Sequence, residues 1–132
     1  MKNQDYNEFE ETWILNYLTQ SYGFEVFTPG LERTRPVYVP FINYVKEMKV
    51  RIVTVAGTNG KGQTAHSLST LLASCNKNSA VWISPHILSI RERFNFTKNK
   101  ESFEISYTEL RAAISIGEDI LKNEVPGVKV SF

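Results

Sequence analysis

Lys61 stands in the most glycine-rich stretch of the chain, IVTVAGTNGKGQTAHSLSTLL, with Gly57, Gly60 and Gly62 around it. An apolar, strand-like run precedes the glycines and a helical pattern follows them. Backbone N–H groups at a helix N-terminus have no partner inside the helix, so an anion placed there gains hydrogen bonds and the positive end of the dipole. Glycines let the main chain come close, and an ammonium adds a point charge that can reach the outer phosphates of a nucleotide. Gly57-Thr58-Asn59-Gly60-Lys61-Gly62 therefore reads as a nucleotide-phosphate cradle. The general pattern G-x-x-x-x-G-K-[ST] is broken twice, because Val55 replaces its first glycine and Gly62 its metal-binding hydroxyl. On spacing alone, a tight strand-to-helix turn with an exposed lysine stays open as the alternative.

Other residue types capable of chemistry each carry two readings. Ser84-Pro85 closes the second apolar run, and a Ser-Pro pair by itself is a turn starter. His86 reads as a metal ligand or base, or as an oriented structural side chain. Arg91 and Arg93 flank Glu92 on an expected strand, whose alternation puts both arginines on one face. They would serve substrate carboxylates or a structural salt bridge. His66 reads as exposed and inert, and Cys75 as a small buried or half-buried apolar residue.

These residues need a scaffold, and the periodicity supplies one. Phe9, Trp13, Leu15, Tyr17 and Leu18 recur at near-helical spacing before Gly23, a stop signal. Pro29 and Gly30 mark a turn, and Pro36 and Pro40 limit the next helix to the residues after Pro40, with Phe41, Ile42, Tyr44 and Val45 as its buried face. RIVTVA at 51–56 is β-branched and apolar, the signature of a central parallel strand covered on both faces. A helix burying Leu68, Leu71 and Leu72 follows, then a second strand, SAVWIS, at 79–84. Strand, helix, strand makes a right-handed βαβ unit and a parallel sheet. From Ile90 onward an alternating pattern around a polar turn at Lys98–Ser102 predicts a hairpin. A last helix runs over TELRAAISIGEDILKN, with Thr108 as its N-cap and Leu110, Ala113, Ile114, Ile120 and Leu121 on one side.

Composition narrows the function classes. The chain has 132 residues and 42% hydrophobic content, enough for one domain with a core. Its 15 basic and 14 acidic residues give a net charge of +1, so no global field draws in nucleic acid or an anionic membrane. One cysteine excludes an internal disulfide and fits a reducing cytosolic compartment. MKNQDYNEFEE lacks the apolar core of a signal peptide, and no apolar stretch nears the roughly 20 residues that span a bilayer. The last residues, VKVSF, alternate like a strand, giving the expectation that this is the N-terminal piece of a longer protein.

AGTNGKG-x-T followed by SPHILSIRERF closely resembles the folylpolyglutamate synthase and dihydrofolate synthase family, relatives of the Mur peptide ligases. The phosphate loop of that family reads G-T-N-G-K-G-[ST]-T, ahead of an S-P-H-L…ER signature. PGLERTR at 29–35 resembles its G-L-[DE]-R turn, and WILNYL at 13–18 its opening helix. Gln63 departs from the usual Ser or Thr, leaving Thr64 as the nearest hydroxyl, and Ile87 replaces a leucine. The resemblance implies an α/β fold, a P-loop NTPase-like parallel sheet with flanking helices from a Mur-ligase-type ATPase domain. Residues 1–50 would be a helical lead-in with a substrate turn, and residues 51–132 the P-loop βαβ core. Thr58, Asn59, Gly60, Lys61 and Gly62 would hold ATP, Lys61 acting in catalysis. Ser84 would bind magnesium, and Thr28, Pro29, Gly30 and Leu31 would contact the pterin; a plain turn stays open for that segment. The implied activity is ATP-dependent addition of L-glutamate to dihydropteroate or to a folate's glutamate tail, in a cytoplasmic, monomeric enzyme. A non-catalytic nucleotide-binding module and a Mur-type ligase of a cell-wall precursor are the competing readings.

Overall fold

The computed structural model describes residues 6–22 and 35–124. They form helices α1 (Glu8–Tyr22), α2 (Arg35–Glu47), α3 (Lys61–Ser74) and α4 (Tyr107–Glu124), and strands β1 (Ser79–Trp82), β2 (Phe94–Lys98) and β3 (Glu101–Glu104). A 3-10 turn at Ile90–Arg93 leads into β2. The expected substrate turn, Thr28–Leu31, lies outside the described residues. The chain separates into two compact units. One holds the residues up to Glu11 together with Thr54–Leu110; the other holds Thr12–Val53 and the residues from Arg111 onward.

The sheet corrects the expected fold. It is antiparallel throughout, in the order β1-β2-β3, and is not the parallel P-loop-type sheet anticipated. Residues 51–56, expected as the central strand, form no ladder, and Ile52 and Val53 are 53% and 65% exposed. A parallel strand holds only where layers cover both of its faces, and that cover is missing here among the described residues. β1 pairs with β2 instead, Trp82 opposite Phe94 and Ser79 opposite Thr97, so the βαβ unit is not formed. The hairpin expected after Ile90 is present as β2–β3. Asn99 and Lys100 close it with φ of 53° and 68°, the pair of positive values that lets a two-residue loop follow the twist of its strands.

Alternation gives this small sheet two unlike faces. Toward α3 it presents hydroxyls: Ser69 of α3 is 2.8 Å from the Ser79 hydroxyl and 2.9 Å from that of Thr97, which is 3.0 Å from Ser102. Ser69 and Ala73 are the buried residues of α3, whereas Leu71 and the C-cap Cys75, both expected to lie at least partly inside, are exposed. The opposite face carries aromatic rings, with Trp82 stacked on Phe94 and Phe96 on Phe103 at centroid distances of 6.2 and 5.9 Å.

Local signals account for the helix starts. Asn7 caps α1 through its side-chain oxygen, which accepts from the Glu10 amide at 3.2 Å, and Glu8, Glu10 and Glu11 suit the positive end of the dipole. α4 starts at a capping box made by Ser106 and Glu109, not at Thr108. The Ser106 amide donates to the Glu109 carboxylate at 2.9 Å, and the Glu109 amide to the Ser106 hydroxyl at 3.2 Å. α2 extends further back than expected and contains Pro40; a proline in the second turn removes a single backbone donor. Of its expected buried face, Val45 is buried and Ile42 half-buried, while Phe41 and Tyr44 are exposed. In the second unit Ile14 is fully buried, Trp13 stacks on Tyr17 at 5.3 Å, and the Arg111 guanidinium lies 3.9 Å over the Trp13 ring. The Tyr17 hydroxyl donates to Glu118.

Candidate functional site

The glycine loop ends in a left-handed residue. Gly60 is the N-cap of α3 at φ 75° and ψ 3°, a conformation that costs an L side chain about 1–2 kcal/mol. No side chain caps this helix start, so its first-turn amides are not claimed by a side-chain oxygen. Lys61 folds its ammonium back over the loop, donating to the Gly57 carbonyl at 2.7 Å and the Thr58 carbonyl at 3.2 Å. An ammonium has three donors, which leaves one for a ligand. Among the described residues no carboxylate pairs with it. Thr64, the nearest hydroxyl after the lysine, donates to the Gly60 carbonyl at 2.9 Å and so serves the loop's own backbone. Thr58, Asn59, Gly60, Lys61 and Gln63 are all exposed.

Gly62 connects this loop to the second candidate element. A Cβ on Gly62 would lie 3.9 Å from the Ile83 side chain, ordinary contact, so the first turn of α3 rests beside the residue preceding Ser84. Ser84 lies two residues beyond the end of β1, exposed, and its hydroxyl has no partner among the described residues. Gly62 and the chain just before Ser84 thus come together within the first unit. No group of three His, Cys, Asp or Glu among the described residues could hold a metal.

The turn after Ser84 is held by acidic side chains that periodicity did not reveal. The Glu92 carboxylate accepts from the amides of Ile87 (2.8 Å), Leu88 (2.8 Å) and Ser89 (2.9 Å). Partial burial pushes its pKa up, but those amides, with His86 nearby, outweigh this and hold it below the usual glutamate value. Glu11, only 4% exposed, accepts from the Ile90 amide at 2.6 Å, the Ser89 hydroxyl at 2.8 Å and the Tyr107 hydroxyl at 3.0 Å. Four consecutive amides, 87 to 90, therefore end on two carboxylates.

The two arginines sit on the 3-10 turn rather than a strand, and both are buried. Arg91 donates to the Ile105 carbonyl at 2.6 Å, stacks 4.8 Å from the Tyr107 ring centroid and pairs with Glu104 at 3.6 Å. This is the structural member of the two readings. Arg93 donates from Nε to His86 Nδ1 at 2.8 Å, so His86 is an oriented side chain whose Nδ1 acts as an acceptor. Ser89-x-x-Glu92 was the available sequence signal for the turn, since S-x-x-E is the capping-box pattern. Glu11 had no such signal, because its partners are distant in sequence.

Comparison with known proteins finds partial matches to one group of ligases. The chain shares partial homology with ligases of the folylpolyglutamate synthase and dihydrofolate synthase family. Against a folylpolyglutamate synthase of Arabidopsis thaliana it is 42% identical over 50 residues, 38% of this chain and 8% of the relative. Against the dihydrofolate synthase/folylpolyglutamate synthase of Haemophilus influenzae it is 34% identical over 87 residues, 60% of this chain and 17% of the relative. A further Arabidopsis thaliana folylpolyglutamate synthase is 34% identical over 47 residues. The chain thus spans less than a fifth of the length of these curated relatives. No family model and no solved structure matches it. No helix among the described residues is long and apolar enough to cross a membrane.

Proposed function

We infer that this chain is part of an ATP-dependent ligase that adds L-glutamate to dihydropteroate or to the glutamate tail of a folate. The observation that carries this reading is the junction at Gly62. There an α3 start that no side chain caps, carrying a Lys61 ammonium that no carboxylate pairs with among the described residues, rests against Ile83, the residue before the exposed Ser84. The homology to folate-pathway ligases supports the choice of reaction.

The residues present fit the group the reaction needs. The amides of the first α3 turn and Lys61 offer donors to the oxygens of a triphosphate, with Thr58, Asn59, Gly60 and Gly62 shaping the cradle. Ser84 offers one neutral oxygen, of the kind a Ser or Thr hydroxyl gives magnesium in phosphate loops, an ion that otherwise keeps several waters and takes phosphate oxygens and one or two carboxylates. Bound MgATP would supply the phosphoryl group that turns the acceptor carboxylate into an acyl phosphate, open to displacement by the amine of glutamate. The chain's task is positioning and charge neutralisation. Lys61 gains most as negative charge spreads over the transferring oxygens, since two of its three donors already fix it to the loop. Thr28, Pro29, Gly30 and Leu31 are assigned here to the pterin side of the acceptor.

The test is glutamate-dependent ADP release by the full-length protein with dihydropteroate or a folate as acceptor. Lys61→Ala is expected to lower turnover at least 10²–10³-fold while leaving the melting temperature unchanged. Near-normal turnover in that variant, or ADP release indifferent to glutamate, would overturn the reading.

A further inference from the structure

The Ile90–Arg93 turn grips the chain on both sides of Ser84. Before the serine, the Ile83 amide donates to the Arg93 carbonyl at 3.0 Å. After it, Arg93 Nε donates to His86 Nδ1 at 2.8 Å, and the Glu92 carboxylate takes the next three amides, Ile87, Leu88 and Ser89. Only Ser84 and Pro85 lie between these attachments. The turn itself is anchored from α1, where buried Glu11 accepts from Ile90 and from the Ser89 hydroxyl. The result is a short bow of chain whose ends are pinned and whose exposed Ser84 hydroxyl has no partner among the described residues, one residue on from Ile83, which neighbours Gly62.

We propose that Glu92 is a positioning residue for Ser84: by fixing the peptides of residues 87–89 it fixes where the Ser84 hydroxyl is offered to a divalent cation. A carboxylate suits this task better than a hydroxyl or an amide. Its two oxygens provide about four acceptor sites and no donor, so three converging N–H groups are satisfied by one side chain. Without it those amides would turn to water, the 86–89 segment would sample other conformations, and Ser84 would lose its fixed position. Groups that orient a metal ligand without touching the metal commonly set its affinity, their loss costing about 10–100-fold. Glu92 occupies that rank here; it contacts neither nucleotide nor acceptor.

This inference rests on the assignment of Ser84 and Lys61 under the proposed function, and its test separates the two. In the full-length protein, the half-saturating Mg²⁺ concentration for binding a fluorescent ATP analogue is measured for Glu92→Gln, Glu92→Ala, Ser84→Ala and the Ser84→Ala/Glu92→Gln double variant. Hydrogen exchange of the 87–89 amides is followed in parallel. Glu92→Ala is expected to raise the Mg²⁺ requirement about tenfold and to speed exchange at all three amides. Glu92→Gln keeps one acceptor oxygen, for Leu88 and Ser89, and gives a smaller rise, which also preserves the test should the alanine variant not fold. In the Ser84→Ala background Glu92→Gln should add nothing. Faster exchange with an unchanged Mg²⁺ requirement overturns the proposal, and so does a Glu92 effect that persists in full without Ser84. Wild-type affinity for the analogue in Lys61→Ala would instead overturn the nucleotide reading beneath it.

Discussion

The glycine loop and the turn after Ser84 are neighbours built on opposite plans. The loop at 57–62 is exposed, spends its lysine on its own carbonyls and leaves its helix start without a side-chain cap. The turn at 86–93 claims four amides in a row with two carboxylates and buries two arginines. An open set of donors has something left for a ligand, whereas a saturated set can only hold shape. Uncommitted donors and saturated ones therefore sit in separate segments, joined where Gly62 meets Ile83.

That contrast can be broken at either end. The largest effect expected is on catalysis, from Lys61→Ala, with turnover down at least 10²–10³-fold and stability intact, as ADP release and thermal melting would show. Next comes Glu11→Ala, which strands the buried Ser89 hydroxyl and the Ile90 amide. Unsatisfied buried groups cost about 1–3 kcal/mol each, so its urea midpoint should drop. Gly60→Ala should cost about 1–2 kcal/mol because of the left-handed backbone there, again by urea melting. Gly62→Ala meets only an ordinary contact with Ile83 and should change stability by no more than about 0.5 kcal/mol.

Acid should loosen the saturated turn first. Glu92 and Glu109 both titrate below the ordinary glutamate value. Amides overcome the opposing effect of burial at Glu92, and the Ser106 hydroxyl and amide act at Glu109. A depressed folded-state pKa contributes stability that is present above the unfolded value of about 4.3 and is lost as pH falls through the folded one. Urea midpoints measured from pH 7 to pH 3 should decline at the acid end, and Glu92→Gln should flatten part of that decline. An unchanged slope in the variant would show that the carboxylate is not what acid removes.

Local signals in the sequence led to most elements and to little of their assembly. The helical spacing from Phe9 to Leu18 and the polar turn at Lys98–Ser102 corresponded to α1 and the β2–β3 hairpin, because each is decided by nearby residues. The apolar run at 51–56 was expected as a central parallel strand, but its pattern states a demand for cover that is unmet among the described residues, and β1 took its neighbour from the hairpin. Thr108 looked like a cap in isolation, yet Ser106 with Glu109 three residues on makes the reciprocal pair. The glycine loop was recognisable from its residues, and its lysine's turn back onto Gly57 and Thr58 was not, since side-chain direction depends on where the carbonyls point. Glu11 stood out least, for it joins Ser89 and Tyr107 across most of the chain's length.

The hydroxyl face of the sheet has a mechanical consequence for Lys61. A greasy seam would let α3 roll about its own axis at little cost, but Ser69 is pegged to both Ser79 and Thr97. With about 100° between successive residues, a slip of one position would pull that peg from both sockets. The compass bearing of the lysine is thus set by a serine about 12 Å down the same helix, the way a keyway sets the hand of a clock on its spindle.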